Sequence, residues 1–287
     1  TELAQKTNYQ IKNTNQFSMK QKDMLKQLEL KDEDHKILFD YCNKSNIEFL
    51  STAFDNDSLE MLLNLGIQRI KIPSGEITNL PYLRKISSIN LPIILSTGMS
   101  TLNEISDALK ILTESGKDKK SITILHCTSE YPAPYEEVNL KAMNKIKKIF
   151  KLEVGYSDHT LGTEVSLAAI SLGAKIIEKH ITLDKNQSGP DHKASLEPKE
   201  FAKMIKGIRI IEKSLGKETK KPSKNEIENS YLVRKSIVAS RKIRLGETFT
   251  EANLTCKRPF NGLSPMKWDE IIGHQSKSNF EKDEPIQ

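Results

Sequence analysis

Short apolar runs alternate with amphipathic segments along the first 216 residues. Runs with the character of β-strands occur at 47–54, 70–73, 92–97, 122–128, 152–157 and 174–182. Segments with apolar residues three and four positions apart predict helices at 24–45, 59–65, 80–88, 102–115, 140–150, 163–172 and 198–215. Because strands and helices succeed one another, and runs such as 92–95 are continuously apolar, we expect a parallel sheet that is buried on both faces.

The fold class that this pattern predicts is α/β, with a parallel barrel as the architecture. Six strand–helix units are two fewer than the eight that close a TIM (β/α)8 barrel. Either the sheet is open, or two further units precede Thr1. The chain does not begin with methionine, which favours the second interpretation, so we expect a TIM barrel that lacks its first strands.

The pattern changes after the last barrel helix. Residues 217–229 are rich in charged side chains and lose the apolar periodicity, which predicts a linker. Two strand patterns and one short helical pattern follow, at 236–240, 254–257 and 266–272. We therefore expect a barrel domain over residues 1–216 and a small β-rich domain over residues 230–287.

Composition narrows the functional classes. The chain has 37% hydrophobic residues, and no apolar run approaches the ~20 residues that a membrane span needs. We therefore do not expect this chain to span a membrane. Three widely separated cysteines favour free thiols in a reducing compartment, so we expect a cytoplasmic location. The net charge of +6 comes from lysines interspersed with acidic residues. That arrangement is typical of solvated helix faces and not of a nucleic-acid interface, although it would favour an anionic substrate.

Two histidines at the ends of adjacent predicted strands are the main candidates for chemistry. In an extended chain, residues two apart share a face, so Ser157 lies beside His159 and Glu178 lies beside His180. Two imidazoles at neighbouring strand ends could hold a divalent cation and leave positions open for a substrate. A pair of hydrogen-bonded core histidines is the alternative that the spacing leaves open.

Polar residues also follow the other predicted strands. The carboxyl ends of parallel strands form one rim, where hydroxyls and backbone donors suit oxyanions. Lys71 lies inside an apolar run and needs a counter-charge. That charge could be a phosphate or carboxylate of the substrate, or Glu76 or another acid in a structural ion pair. Glu76 could also act as a general acid. In the turn-rich loop 188–195, Asp191 could bind sugar hydroxyls, although turn chemistry alone would also explain it.

Seven segments, taken in order, resemble the sialic acid synthase family, which includes the N-acetylneuraminate, legionaminic acid and pseudaminic acid synthases. They lie at 49–54, 71–76, 94–99, 126–134, 155–160, 177–184 and 189–198. Three further segments, at 234–239, 245–248 and 257–262, are similar to that family's antifreeze-like SAF domain. The matches span nearly the whole chain and keep the family's order.

This resemblance implies a TIM barrel that condenses phosphoenolpyruvate with an N-acetylated aldose, typically N-acetylmannosamine, to give a nine-carbon 2-keto acid and phosphate. It also implies a divalent metal, usually Mn²⁺ with Mg²⁺ or Co²⁺ as alternatives, and a domain-swapped homodimer. The matching motifs imply His159 and His180 as metal ligands and Glu76 as the proton donor. The implied phosphoenolpyruvate contacts are Thr52, Lys71, Ser74, Ser129 and Ser157. The implied sugar contacts are Tyr131, Glu178, Asp191 and, from the partner subunit, Arg258.

The sequence departs from the family in two respects and leaves alternatives open. The family's opening strand–helix–strand is absent, so we expect the polypeptide not to be active alone, and Ser129 stands where some members have asparagine. Residues 191–195 favour the neuraminate and legionaminate branches over the pseudaminate branch. We expect an N-acetylneuraminate synthase, with a legionaminic acid synthase as the alternative. A non-catalytic sugar-binding or scaffold protein is the rival from another class.

Overall fold

The computed structural model describes residues 3–14 and 20–287, and it forms two compact units, Thr1–Gly216 and Lys217–Gln287. The first unit is built on a parallel sheet of five strands that pair in chain order. The strands are Ile70–Ile72 (β1), Ile93–Ser96 (β2), Ile122–Cys127 (β3), Val154–Asp158 (β4) and Ile177–Lys179 (β5). This TIM-like half-barrel confirms the predicted α/β class and the absence of the first barrel strands from the sheet.

Nine helices of the first unit surround this sheet or precede it among the described residues. They are Asn8–Thr14 (α1), Gln21–Leu28 (α2), Asp32–Lys44 (α3), Asn56–Leu65 (α4), Leu80–Ser87 (α5), Leu102–Thr113 (α6), Lys141–Phe150 (α7), Glu164–Ser171 (α8) and Pro198–Leu215 (α9). The start of α6 illustrates how sequence fixes a boundary. Thr101 accepts from the Glu104 N–H, and the Glu104 carboxylate accepts from the Thr101 N–H, so two otherwise unpaired donors are satisfied.

The two faces of the sheet have different chemistry. One face carries aligned aliphatic residues, such as the row formed by Ile72, Leu95, Ile124 and Val154, and these belong to the core that packs against the helices. Since side chains alternate along a strand, the residues between them point to the other face. At the carboxyl ends of the strands that face is polar, and the strands contribute Lys71, Ser96, Cys127, Ser157 and Glu178.

The prediction of a strand at 47–54 is wrong. No described residue of that segment joins the sheet, which leaves five parallel strands where six were expected. Ile47 and Phe54 are 64% and 63% exposed. Although Ala53 is buried and Phe49 packs against the core, the apolar side chains at the two ends of the segment gain too little burial to offset the entropy cost of ordering a strand. The predicted helix 24–45 is also divided, since Lys31 and Asp34 form a new helix start between α2 and α3.

The second unit contains a short antiparallel pair, Ser236–Ala239 (β6) and Leu254–Lys257 (β7), as its strand patterns predict. A small apolar cluster that includes Ile237, Phe249 and Phe280 supports it. The expected linker is corrected in part, because Lys224–Val233 is a helix (α10) with a Ser223 cap. Trp268–Ile271 forms the last helix (α11). Of the helices in residues 3–14 and 20–287, none has the length and apolar character needed to cross a bilayer.

Candidate active site

A cavity of about 360 Å³ opens at the carboxyl ends of the five parallel strands. Each strand contributes one inward-facing residue to its lining: Lys71, Ser96, Cys127, Ser157 and Glu178. Loops beyond the strands add Ser74, Ser129, Tyr131 and His159. The sheet therefore gathers a cation, a carboxylate, several hydroxyls and an imidazole around one space, where parallel α/β folds bind their ligands.

Lys71 has its counter-charge within the protein. Its side chain is buried, and its Nζ lies 3.2 Å from Oε2 of Glu178 at the opposite edge of the sheet. The Ser157 hydroxyl donates to the other carboxylate oxygen, Oε1, at 2.6 Å. Glu178, and not Glu76, is thus the acid that pairs with the buried lysine. The ammonium still has donors that can bind an anion in the cavity, because a lysine carries three.

The hydrogen bonds of His159 fix which ring nitrogen is free. Nδ1 lies 2.6 Å from the backbone carbonyl oxygen of Thr128, so Nδ1 carries the proton and donates it there. Nε2 lies 3.3 Å from Oγ of Ser157, but that hydroxyl gives its hydrogen to Glu178. The Nε2 lone pair is therefore available to a ligand. Burial lowers the pKa of His159 to about 4, which keeps the imidazole neutral at pH 7.

His180 lies beside His159, and their ring centroids are 5.6 Å apart. The Tyr131 ring packs against His159 at 4.1 Å and meets His180 edge-on at 5.5 Å. His180 Nδ1 lies 4.0 Å from Oδ2 of Asp191, which is beyond hydrogen-bond distance. Burial raises the pKa of Asp191, and its Oδ1 has no hydrogen-bond partner among the described residues. We call His159, His180, Tyr131 and Asp191 the histidine cluster.

The histidine cluster fits a divalent ion held by two imidazoles. Within residues 3–14 and 20–287, no three His, Cys, Asp or Glu side chains are grouped as a complete metal site. A neutral, buried imidazole with a free lone pair is nevertheless a good ligand, and the orphaned Asp191 oxygen can accept from a metal-bound water. Two protein ligands leave the other coordination positions to water or substrate, as catalytic sites require.

Hydroxyl groups surround Gly98 next to the buried lysine. The Gly98 N–H donates to Oγ of Ser74 at 2.9 Å. A Cβ atom at Gly98 would lie 2.1 Å from Oγ of Ser129 and 2.9 Å from Oγ of Ser74, so only glycine fits here. Ser96 Oγ is buried and has no partner in the part of the chain that the structure describes. A buried cation beside several hydroxyls has the donors that an anion would need, and we call Lys71, Ser74, Ser96 and Ser129 the anion-binding region.

Three sequence-predicted site residues lie elsewhere. Thr52 lines a separate groove of about 680 Å³ beside α2 and α4. Glu76 follows β1, where its carboxylate accepts from the Asn79 amide at 2.6 Å, and it is not among the described residues that line the cavity. Arg258 belongs to the second unit, where it is exposed.

The structure also adds residues that sequence reasoning missed. Ser96 lies within the strand predicted at 92–97 but was not singled out as a site residue, although its strand position gives it the same orientation as Ser157. Tyr9 stacks on Tyr131 with centroids 4.8 Å apart. The Asn13 amide donates to the carbonyl oxygens of Tyr131 at 2.9 Å and Pro190 at 2.6 Å, which ties together two loops of the histidine cluster. No motif in residues 8–14 signals these contacts.

Comparison with known proteins identifies the NeuB family over residues 1–220 and a SAF domain over residues 234–287. The N,N'-diacetyllegionaminic acid synthase of Campylobacter jejuni is 55% identical, over 99% of this chain and 84% of that protein. The N,N'-diacetyllegionaminic acid synthase of Legionella pneumophila is 45% identical, over 96% and 78%. A crystal structure of an N-acetylneuraminic acid synthetase from Leptospira borgpetersenii, in complex with citrate, matches with a TM-score of 0.68 and 34% identity over 76% of each chain.

Proposed function

This chain belongs to the NeuB family and carries a SAF domain, and from that premise we propose that it makes N,N'-diacetyllegionaminic acid. It is a phosphoenolpyruvate-utilising condensing enzyme of the sialic acid synthase type. The observation that carries the finer proposal is the 55% and 45% identity to two legionaminic acid synthases. These relatives favour the legionaminic alternative over the N-acetylneuraminate synthase expected from the sequence.

The anion-binding region would receive phosphoenolpyruvate. Lys71 supplies a cation, and three hydroxyls supply donors or acceptors around it: Ser74, Ser96 and Ser129. Ser157 also lines the cavity, and its hydroxyl donates to Glu178 and holds that carboxylate in place. The Lys71 ammonium contacts Glu178 with one of its three donors, and the other two could bind the anion. Thr52 stays a proposed contact that rests on the family motif alone.

The histidine cluster would hold the divalent ion and the sugar aldehyde. His159 and His180 are the proposed ligands, and Mn²⁺ is the first candidate, with Mg²⁺ and Co²⁺ as alternatives. When bound, the ion would supply Lewis acidity for the aldehyde. Tyr131, Glu178 and Asp191 would contact the sugar. Tyr131 packs against both imidazoles and Asp191 lies beside His180, whereas Glu178 lines the cavity together with His159.

The proposed reaction forms one carbon–carbon bond and replaces the carbon–oxygen bond to the phosphate with one to the oxygen of water. The methylene carbon of phosphoenolpyruvate attacks the aldehyde carbon, and the aldehyde oxygen takes a proton, which we assign to Glu76 by its motif. Water then adds to the cationic C2 and loses one proton, which would restore Glu76. Phosphate leaves with the bridging oxygen and the second proton of the water as C2 becomes the ketone. The chain's part in these steps is to orient the two substrates and to stabilise charge, and these two effects account for much of the rate enhancement in many enzymes. Glu76 would need to turn from its contact with Asn79.

We further propose that the active form is a domain-swapped homodimer, in which Arg258 of one subunit contacts the sugar in the other. The exposed position of Arg258 in its unit is compatible with such a contact. An arginine suits this task because its planar donors can bind two sugar oxygens at once.

Phosphate release with two sugars tests the choice of product. The full-length enzyme is supplied with phosphoenolpyruvate, Mn²⁺ and either a 2,4-diacetamido-6-deoxy-mannose or N-acetylmannosamine. We expect kcat/KM to be at least about 100-fold higher for the diacetamido sugar, because a site that bonds the second acetamido group leaves those partners unpaired with the other sugar. Preference for N-acetylmannosamine would contradict the proposal. Absence of phosphate release with either sugar would favour the non-catalytic scaffold.

A further inference from the structure

A buried ion pair lies between the site residues of two neighbouring strands. Asp158 is the last residue of β4 and lies between Ser157 and His159 in the sequence. Lys179 is the last residue of β5 and lies between Glu178 and His180. The two residues are direct partners in the β4–β5 register. Lys179 Nζ lies 3.1 Å from Asp158 Oδ2, and both side chains are fully buried. Because side chains alternate along a strand, the pair points away from the cavity.

This ion pair is the last cross-strand link before the two histidines. Strand β4 ends at Asp158 and β5 ends at Lys179, so the ladder does not reach His159 or His180. The carbonyl oxygen of His159 accepts from the Ala133 N–H, and that of His180 accepts from the Leu196 N–H, both at 2.9 Å. These are bonds to other segments of the unit. The pairing of β4 with β5 thus ends one residue before each histidine, at Asp158 and Lys179. The distance between the imidazoles therefore depends on how these two strand ends are held together.

The pair also encloses the backbone of His159. Asp158 Oδ1 accepts from the N–H of Thr160 at 2.9 Å and from its hydroxyl at 2.8 Å. Lys179 Nζ donates to the carbonyl oxygen of Thr160. The residues before and after His159 are thus joined to each other and to β5. On the helix side, the Ser166 hydroxyl of α8 donates to Asp158 Oδ2 at 2.6 Å, which fixes the carboxylate.

Stability alone does not explain a fully buried ion pair. Removing two charges from water costs about as much as their attraction returns, so apolar replacements are often neutral or stabilising. We propose that Asp158 and Lys179 are positioning residues that set the separation of His159 and His180 and thereby the affinity for the divalent ion. The part that concerns the ion rests on the proposed function, whereas the part that concerns the separation of the rings does not.

The decisive variant removes both charges together. In the double variant Asp158→Asn with Lys179→Met, the asparagine keeps an acceptor for Thr160, and no unpaired charge stays buried. Lys179→Arg keeps the cation and should behave like the parent. Arg69→Met is the matched control, since Arg69 pairs with Glu48 at 2.5 Å immediately before β1, at the other end of the strands. Should the double variant fail to fold, Ser166→Ala gives the comparison, because it removes only the hydroxyl that fixes the Asp158 carboxylate and leaves the ion pair intact.

Crystal structures and Mn²⁺ affinity, measured by electron paramagnetic resonance, give two separate readouts. We expect the rings in the double variant to shift apart by about 0.5 Å or more, a displacement that functional sites do not tolerate. Mn²⁺ affinity should fall about 10-fold, as for other outer-shell partners of metal ligands. Unfolding in urea should stay near the parent's midpoint.

Rings at the parent's separation in the folded variant would overturn the inference. If the rings are displaced but the Mn²⁺ affinity equals the parent's, the part of the inference that links the ion pair to metal affinity would be overturned. A parent that binds no Mn²⁺ would count against the proposed metal role instead, and the ring separation would still decide the positioning role.

Discussion

At the residue scale, the chemistry of the site depends on which polar atoms carry a hydrogen and to which partner each of them donates it. Ser157 has one hydroxyl hydrogen and gives it to Glu178, and His159 gives its Nδ1 hydrogen to Thr128. Both bonds leave the Nε2 lone pair of His159 facing the cavity. A core histidine with both nitrogens bonded was the alternative that the sequence left open, and the free Nε2 of His159 supports our proposal that this residue is a ligand.

Replacing His159 by alanine should remove metal-dependent phosphate release while the fold persists. We expect kcat to fall at least about 100-fold, because loss of a direct ligand costs more than loss of an outer-shell partner. The phosphate assay measures this, and far-UV circular dichroism checks the fold. His274→Ala, which changes an exposed histidine of the second unit, is the control. Turnover equal to the parent's in His159→Ala would remove the metal assignment.

The burial of His159 also predicts a pH dependence of stability. Its pKa is lowered from 6.5 to about 4 in the folded chain, so between these pH values only the unfolded chain takes up the proton. The free energy of unfolding should therefore decrease as the pH falls through this window. Urea unfolding of the parent should lose about 2 kcal/mol more between pH 7 and pH 5 than His159→Gln does. Equal losses in both proteins would show that this imidazole titrates normally.

Sequence reasoning found part of the site for a clear physical reason. The two-residue period of a strand places Ser157 with His159, and Glu178 with His180, without any knowledge of the fold. The counter-charge of Lys71 could not be found in this way, because Glu178 lies 107 positions along the chain and only the curvature of the sheet brings them together. Asn13 was missed because its bonds go to backbone carbonyls, which carry no sequence signature.

At the element scale, each strand delivers one polar residue to the cavity, and the turns after the strands complete the anion-binding region. The turn after β2 is the most crowded of these, since Gly98 touches hydroxyls from the turns after β1 and β3. The position of that turn therefore controls two hydroxyls, those of Ser74 and Ser129, that would face phosphoenolpyruvate.

Gly98→Ala should weaken phosphoenolpyruvate binding more than sugar binding. The new methyl group would displace the Ser129 and Ser74 hydroxyls, which it would approach within 3 Å, and overpacking of this kind commonly costs about 1–3 kcal/mol. We expect KM for phosphoenolpyruvate to rise about 10-fold and KM for the sugar to change less. Gly207→Ala in α9 is the control, because the nearest side chain that its methyl group would meet is that of Leu167, and neither residue is among the described residues that line the cavity. Equal increases in both KM values for Gly98→Ala would contradict the assignment of this region.

The order of strands and helices could be predicted wherever the apolar pattern of a segment matched the burial that the fold gives it. Strands β2 and β3 lie inside the segments predicted at 92–97 and 122–128, and β4 ends within one residue of the segment predicted at 152–157. The failure at 47–54 has the opposite cause, since an apolar run forms a strand only where a neighbouring strand and a packed layer exist to receive it. The helix start at Ser223 was hidden within a charged segment because solvent-exposed helices need caps but no apolar stripe.

At the scale of the whole molecule, the barrel-like unit carries the described cavity, and the SAF unit carries Arg258. An arginine that reaches the sugar from a separate unit would make activity depend on assembly. The proposed exchange between subunits therefore has to be tested on the dimer.

Arg258→Ala should raise KM for the sugar about 10-fold and KM for phosphoenolpyruvate less, since losing a charged hydrogen-bond donor costs on the order of 1.5–3 kcal/mol. Mixed dimers provide the sharper measurement. In a dimer of one Arg258→Ala subunit and one His159→Ala subunit, the single barrel that keeps His159 should have the parent's KM for the sugar if the arginine acts across the dimer. Lys257→Ala, which changes an exposed neighbour paired with Asp283, is the control. A mixed dimer whose KM for the sugar stays as high as that of the Arg258→Ala homodimer would contradict the exchange.

The proposed chemistry requires that the imidazoles of two adjacent strand ends, His159 and His180, hold one divalent ion in the cavity. Pulsed electron paramagnetic resonance of the Mn²⁺-loaded protein observes this coordination itself, because nitrogen nuclei bound to manganese modulate the echo. We predict one bound ion per chain with couplings to two imidazole nitrogens, one of which disappears in His159→Ala and the other in His180→Ala. Bound Mn²⁺ without nitrogen couplings, or with couplings that both variants retain, would refute the coordination.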